Sequence, residues 1–269
     1  MKKLTYLVPV DFSPCSLNAL QYATMLARHA EGKVVLSHVI DLEEVAESDN
    51  PVVVTWSLDR LSRTAQEKMQ SLREMISLEG VPVEEDIAIG NVRYGMVKQI
   101  DKIKPTVIVL GRNTDRTPCK SSMLTHISNN TRIPVLVVPG SHNPRVPNKA
   151  MLATDMKSFN LSEFAPLMNI IRKTAQQLAV LNVKASGSEG EQEKAKAWVE
   201  KLNTSFDMNA SLVTTDAPHF EHGIEEAVRQ NKVDFLFAIR EEGLLQRLFN
   251  SERLPLAIQA SVPVLLVRK

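Results

Sequence analysis

Between Gly111 and Ser122 the chain gathers groups that bind anions. An apolar, largely β-branched run, Thr106 to Leu110, ends at Gly111, and Arg112, Arg116 and Lys120 follow in a polar loop that closes on Ser121-Ser122. A cationic loop leading from a strand into a helix N-terminus suits a phosphate, because charge-assisted bonds and the first unpaired N–H groups of the helix act together. Asp11 follows an earlier apolar run, Leu4 to Val10, where its carboxylate suits capping of the loop after that strand.

This is binding chemistry. No nucleophile–base–orienter grouping and no Gly-x-Ser-x-Gly elbow stands in the sequence, so no catalytic residue is assigned and no turnover is expected. His219 and His222 are three apart but lack a carboxylate or cysteine to complete a ligand set, and Cys15 and Cys119 lack ligand spacing, so no metal site is assigned. Cys119 neighbours Lys120 and Arg116, which would lower a thiol pKa on close approach, yet two ordinary reduced thiols are the plainer reading.

A chain of 269 residues with 43% apolar content has room for two domains with solid cores. A net charge of +1 argues against nucleic acid as the main partner, since a phosphate backbone needs a clustered basic surface. The N-terminal apolar run is too short for a signal peptide, and nowhere do about 18 apolar residues run together, so no membrane partner and a cytoplasmic location are expected.

The elements that must position these groups alternate in kind. Leu4 to Val10 reads as a strand, Ser13-Pro14 as an N-cap with proline at the first helical position, and Cys15 to Ala30 as a helix ending before Gly32. Val34 to Ile40 is a second strand, and Asp41 to Trp56 an acidic, irregular connection. Leu61, Ala65, Met69, Leu72, Met75 and Ile76 then mark an amphipathic helix ending at Gly80. A strand near Val83 to Ile89, with Glu84, Glu85 and Asp86 on a solvated edge, and a helix near Tyr94 to Lys104 lead to the strand before Gly111. Pro134 opens the final strand, Val135 to Val138. Such alternation implies parallel pairing through right-handed crossovers.

The pattern then starts again. Met151-Leu152-Ala153-Thr154-Asp155 repeats Val8-Pro9-Val10-Asp11, and each aspartate is followed 28 positions later by a valine, Val39 or Val183. Val233 to Ala238 echoes the strand before Gly111, and Ser261 to Val267 echoes Arg132 to Val138. This is a domain duplication: residues 1–140 form the first domain, 141–149 a linker and 150–269 a degenerate second copy.

With Val8-Pro9-Val10-Asp11-Phe12-Ser13, Ser16 to Leu20, Leu36-Ser37-His38-Val39 and Pro134 to Val138, nearly the whole chain resembles the universal stress protein family in its tandem form. The resemblance implies an α/β fold of two doubly wound, five-stranded parallel sheets, strand order 3-2-1-4-5, whose last strands pair to make an internal pseudo-dimer. It also implies that ATP, ADP or AMP lies beyond the carboxyl ends of the first and fourth strands, where winding reverses. The residues it assigns to that nucleotide are Pro9, Val10, Asp11, Val39, Leu110, Gly111, Arg112, Thr114, Ser121, Ser122 and Val135. The family's nucleotide signature is Gly, two residues, Gly, nine residues, Gly, then Ser or Thr. Here Gly111 keeps the first glycine, Thr114 stands at the second, Ser121-Ser122 at the closing pair, and the loop is about three residues short. In the second copy Ala238 or Ile239, Glu241 or Glu242, and Asn250-Ser251 occupy those places. Side chains there take space that phosphate oxygens need, and the glutamates repel them. The expectation is a nucleotide site in the first domain and a second domain for structure or partner binding. The alternative is a nucleotide-independent scaffold with both crevices closed. A protein partner and a further dimer of chains fit either reading.

Overall fold

Three helices of the first domain start where a side chain can replace the missing backbone acceptor. A computed structural model of the chain describes residues 3–44, 50–112, 123–154, 161–184, 191–217, 220–240 and 260–268. Strand β1 (Thr5–Pro9) leads to helix α1 (Pro14–His29), whose N-cap Ser13 accepts from Ser16 N–H at 3.3 Å with Pro14 in the first turn, as its sequence predicts. Leu20, Ala23, Leu26, Ala27 and Ala30 are all buried, so the expected apolar face is the packed one.

Strand β2 (Lys33–Asp41) runs into a short 3-10 turn (Leu42–Glu44), and helix α2 spans Pro51–Leu78. The irregular connection expected through Trp56 is therefore shorter. Asn50 caps the helix by accepting from Val52 N–H at 3.0 Å, and Pro51 sits in its first turn, a start signal that the run of β-branched residues after it obscured. Ala65, Met69, Leu72 and Ile76 face the sheet, whereas Met75 is exposed, because it falls one position off that stripe, about 100° round the helix. Strand β3 (Val83–Gly90) precedes helix α3 (Val92–Ile103), which starts two residues before the expected Tyr94 because Asn91 caps Arg93 and Tyr94. Strand β4 (Val107–Arg112), helix α4 (Met123–Asn130) and strand β5 (Val135–Pro139) follow.

In the second half, β6 (Lys149–Ala153), α5 (Leu161–Thr174), β7 (Gln177–Lys184), α6 (Glu191–Phe206), β8 (Ser211–Asp216), α7 (Phe220–Gln230), β9 (Phe235–Arg240) and β10 (Val264–Arg268) repeat the alternation. Two compact units divide the chain, with the division falling between Val135 and Leu136. Strand order is β3-β2-β1-β4-β5 in the first sheet and β8-β7-β6-β9-β10 in the second, the expected 3-2-1-4-5 in both. The β1–β2, β2–β3, β1–β4, β6–β7, β7–β8, β6–β9 and β9–β10 pairings are all parallel.

The repeat extends to single hydrogen bonds. Thr5 N–H donates to Thr106 Oγ1 at 3.1 Å, and Thr106 N–H returns a bond to Thr5 C=O at 2.9 Å. At the same place in the second sheet Lys149 N–H donates to Asp234 Oδ2 at 3.2 Å, and Asp234 N–H returns a bond to Lys149 C=O at 2.9 Å. Asp234 also accepts from Asn148 N–H and pairs with Arg145, so the stretch after residue 144 is clipped to the second unit. His142 lies half-buried by that clip, its pKa held down first by burial and then by the Arg145 charge, while Asp234 and a Ser261 backbone bond pull it up.

Candidate functional site

The switch point of the first domain, where winding reverses, falls at β1, which has β2 on one side and β4 on the other. Tyr6 lies beside Val107 and Leu7 beside Ile108. The same register carried to the strand ends sets Pro9, Val10 and Asp11 against Leu110, Gly111 and Arg112. Six of the residues assigned from sequence are thus brought together by β1 and β4. Val10 N–H bonds to Ser37 C=O at 2.8 Å, which fixes the end of β1 to β2.

Asp11 is exposed at the mouth, with Oδ1 accepting from Ser13 N–H at 3.0 Å and from Ser13 O–H at 2.6 Å. Ser16 O–H in turn donates to Ser13 C=O at 3.0 Å. Partial burial pushes the Asp11 carboxyl up, but hydrogen bonds from the Ser13 and Ser16 side chains and the Ser13 amide outweigh it and hold the pKa below its ordinary value. Asp11 therefore stands over the start of α1 as a carboxylate, and the turn-capping role is the one its Oδ1 performs.

The sign of its pH effect follows. With the folded pKa below the unfolded one, the Asp11 bonds stabilise the domain above the ordinary carboxylate range, and the contribution is lost as pH falls through the folded value. The stability difference between the native chain and Asp11→Asn is expected to stay level from about pH 7 to about pH 5 and to shrink below about pH 4. Thermal melts of both proteins across that range test it, and a difference that grows in acid would refute it.

Gly111 is explained by packing. A Cβ at this position would lie 2.0 Å from the Cys15 carbonyl oxygen and 2.4 Å from its carbon. The first turn of α1 thus crosses β4 at a point where only hydrogen fits, and the close approach that the sequence assigned to a triphosphate is made by the protein's own helix. Arg112, half-buried beside it, has its pKa lowered by burial, though a guanidinium stays charged at neutral pH.

Val39 is buried in β2 and turns its side chain to α3, where a Cβ on Gly95 would meet it at 2.9 Å. Val135 is not brought to the mouth. Ile108 N–H bonds to Pro134 C=O at 2.9 Å, which places Val135 level with the start of β4, fully buried and roughly 10 Å down the sheet from Gly111. Thr114, Ser121 and Ser122, with Arg116, Cys119 and Lys120, lie outside the described residues.

Sequence reasoning missed Phe12. It takes a left-handed conformation, φ 61°, which costs a non-glycine residue about 1 kcal/mol or more. Its ring packs on His38 at a centroid distance of 4.7 Å, and the Lys68 ammonium lies 4.9 Å over it. His38 Nδ1 lies 2.7 Å from Val10 C=O, which ties β2 to the end of β1. The only signal in the sequence is an aromatic residue directly after Asp11.

In the second domain, Ala153 lies beside Ala238, so the next pair, Thr154 with Ile239, answers to Val10 with Gly111. Ile239, not Ala238, takes the glycine's place, and it is buried. Asp155, Glu241, Glu242, Asn250 and Ser251 lie outside the described residues. Among the described residues no group of three or more His, Cys, Asp or Glu could hold a metal ion, and no helix is long and apolar enough to cross a membrane.

Two parallel, doubly wound domains, the first with its switch point between β1 and β4, define a duplicated α/β fold. The model of the universal stress protein family matches residues 5–139, half of the chain, and the chain belongs to that family. A universal stress protein of Methanocaldococcus jannaschii is 26% identical over 137 residues, covering 49% of this chain and 79% of that protein. The crystal structure of a universal stress protein from Archaeoglobus fulgidus matches 100% of this chain and 99% of its own at a TM-score of 0.77 and 14% identity, which speaks for the fold alone.

Proposed function

We propose that this universal stress protein acts by binding, without turnover, and that its first domain takes an adenine nucleotide in the β1–β4 crevice while the second serves structure or partner binding. The observation that supports this reading is the placing of an exposed carboxylate, Asp11, just past the end of β1 and a half-buried cation, Arg112, at the end of the neighbouring β4. A carboxylate suits hydroxyl and amine donors of a nucleoside, and a guanidinium suits its phosphates. Buried Ile239 stands in the second domain where the first has Gly111, a difference at the strand end that favours one site per chain. Gly111 itself favours a second reading, a nucleotide-independent scaffold, because helix packing alone accounts for that glycine.

Calorimetry with ATP, ADP and AMP on nucleotide-free protein separates the two. The expected result is binding near one per chain, weakened at least about tenfold by Asp11→Ala and by Arg112→Ala, each of which removes a charged partner worth about 1.5–3 kcal/mol. No heat at millimolar nucleotide would leave the scaffold reading in place. Phosphate release above the buffer rate would overturn the claim of no turnover.

A further inference from the structure

The first sheet stops at β3, with β2 on one side and no described strand on the other. Val34 N–H bonds to Pro82 C=O at 2.9 Å. In a parallel ladder this phase turns the backbone groups of Glu84, Asp86 and Ala88 toward β2 and those of Glu85, Ile87 and Ile89 outward. Open edges invite pairing, and proteins blunt them with charge. The first half of β3 is blunted in this way, with Lys33 on Glu84 at 2.7 Å, Arg73 near Glu85 at 3.9 Å and Lys102 on Asp86 at 2.9 Å. The second half, Ile87 to Gly90, carries no charge.

That unguarded half borders an apolar corner. Ile89 is 51% exposed, Tyr94 64% and Leu42 45%. Asp41 lies beside Gly90, and Asn91 bonds to Glu43 at 3.4 Å, so the turn after β2, the end of β3 and the start of α3 meet there. Large apolar surface gathered at one place on a protein marks contact with another macromolecule. A groove of about 280 Å³ runs along β3 beneath Tyr94, Lys98 and Lys102, which stand one above another on α3.

The two sides of the edge differ in chemistry. Asp86 turns to Lys102 on α3, and Ile87 and Ile89, one residue out of phase, turn to the opposite face. We propose that β3 accepts an extended protein segment as an added strand, one that alternates acidic residues toward Lys98 and Lys102 with apolar residues toward Ile87 and Ile89. Main-chain bonds to Glu85, Ile87 and Ile89 supply affinity, and the alternation supplies selectivity. Lys98, held 4.6 Å over the Tyr94 ring, is placed at the rim to meet a carboxylate.

The test uses the full chain and three labelled octapeptides: alternating Val-Glu, alternating Val-Lys, and Val-Glu with N-methyl groups on alternate amides. Anisotropy should show saturable binding of Val-Glu, at least about fivefold weaker binding of Val-Lys, and loss of binding on N-methylation, as cross-strand charge pairs and strand hydrogen bonds require. Lys98→Glu, which leaves the Lys102–Asp86 pair intact, should reverse the preference between the peptides, with an unchanged melting temperature showing that the fold is kept. Hydrogen exchange should slow at the Ile87 and Ile89 amides when Val-Glu is present. No binding at millimolar peptide, or equal binding of the N-methylated peptide, would overturn the proposal. So would a concentration-dependent dimer that Ile89→Lys dissociates, since the edge would then serve a second copy of the chain.

Discussion

Gly111→Ala is expected to lower the stability of the first domain by about 3 kcal/mol or more, the top of the range for overpacking a core. The added methyl group would stand 2.0 Å from the Cys15 carbonyl oxygen, with the Cys15 carbon at 2.4 Å and Ser16 nitrogen at 3.0 Å. All three contacts are backbone, so no rotamer change relieves them. Relief requires the first turn of α1 to lift off β4, which would disturb the Ser13 cap and the Asp11 turn above it. Denaturant melts of the variant measure the loss, and a midpoint within error of the native chain would mean that α1 does not approach β4 as described. The result also governs how the crevice is tested. A nucleotide-binding defect in any Gly111 variant would report a displaced helix as readily as a lost ligand contact, which is why Arg112→Ala is the informative substitution and Asp11→Ala is read together with its loss of the Ser13 turn bonds.

Gly223→Ala is expected to have the second largest effect, a loss of about 1–2 kcal/mol, and here a second substitution should repair much of it. The new methyl would meet Val183 Cγ1 at 2.6 Å, Cγ2 at 3.0 Å and Ala217 Cβ at 3.2 Å. Alanine improves helix propensity by about 1 kcal/mol over glycine, but a contact of 2.6 Å against a stiff β-branched side chain on a buried strand outweighs that gain. Val183→Ala removes both clashing methyls, so Gly223→Ala with Val183→Ala should be more stable than the sum of the single effects, by about 1 kcal/mol or more. Gly95 and Val39 hold the same relation in the first domain at 2.9 Å, and the matching cycle should show the same sign with a smaller coupling. Additive cycles would mean that these helices do not sit on β2 and β7 through the glycine–valine contact.

The two glycine classes show why a repeat can be read from sequence while its physical basis cannot. Val39 and Val183 stand out as repeated residues at equal spacing from an aspartate, yet nothing local links either to a glycine on a helix three elements later. Gly111 matches a ligand-binding signature in sequence, and in the fold it is required by the crossing of α1 over β4. The same limit applies to Asp234. As an isolated residue before a strand it carries no signal, and only the folded chain places Arg145, Asn148 and Lys149 around its carboxylate.

Sequence by itself determined the alternation of strands and helices, the duplication and the Ser13-Pro14 cap, because each rests on a local pattern or on its repetition, while the strand order came with the family resemblance. Tertiary structure decided the roles. It alone brought the ends of β1 and β4 side by side, put Ile239 in the place of Gly111, buried Val135 level with the start of β4, turned Phe12 onto His38 and left β3 with no described strand on its outer side. Those outcomes depend on strand register and helix crossing, which arise from packing among residues far apart in the chain and leave no local pattern to read.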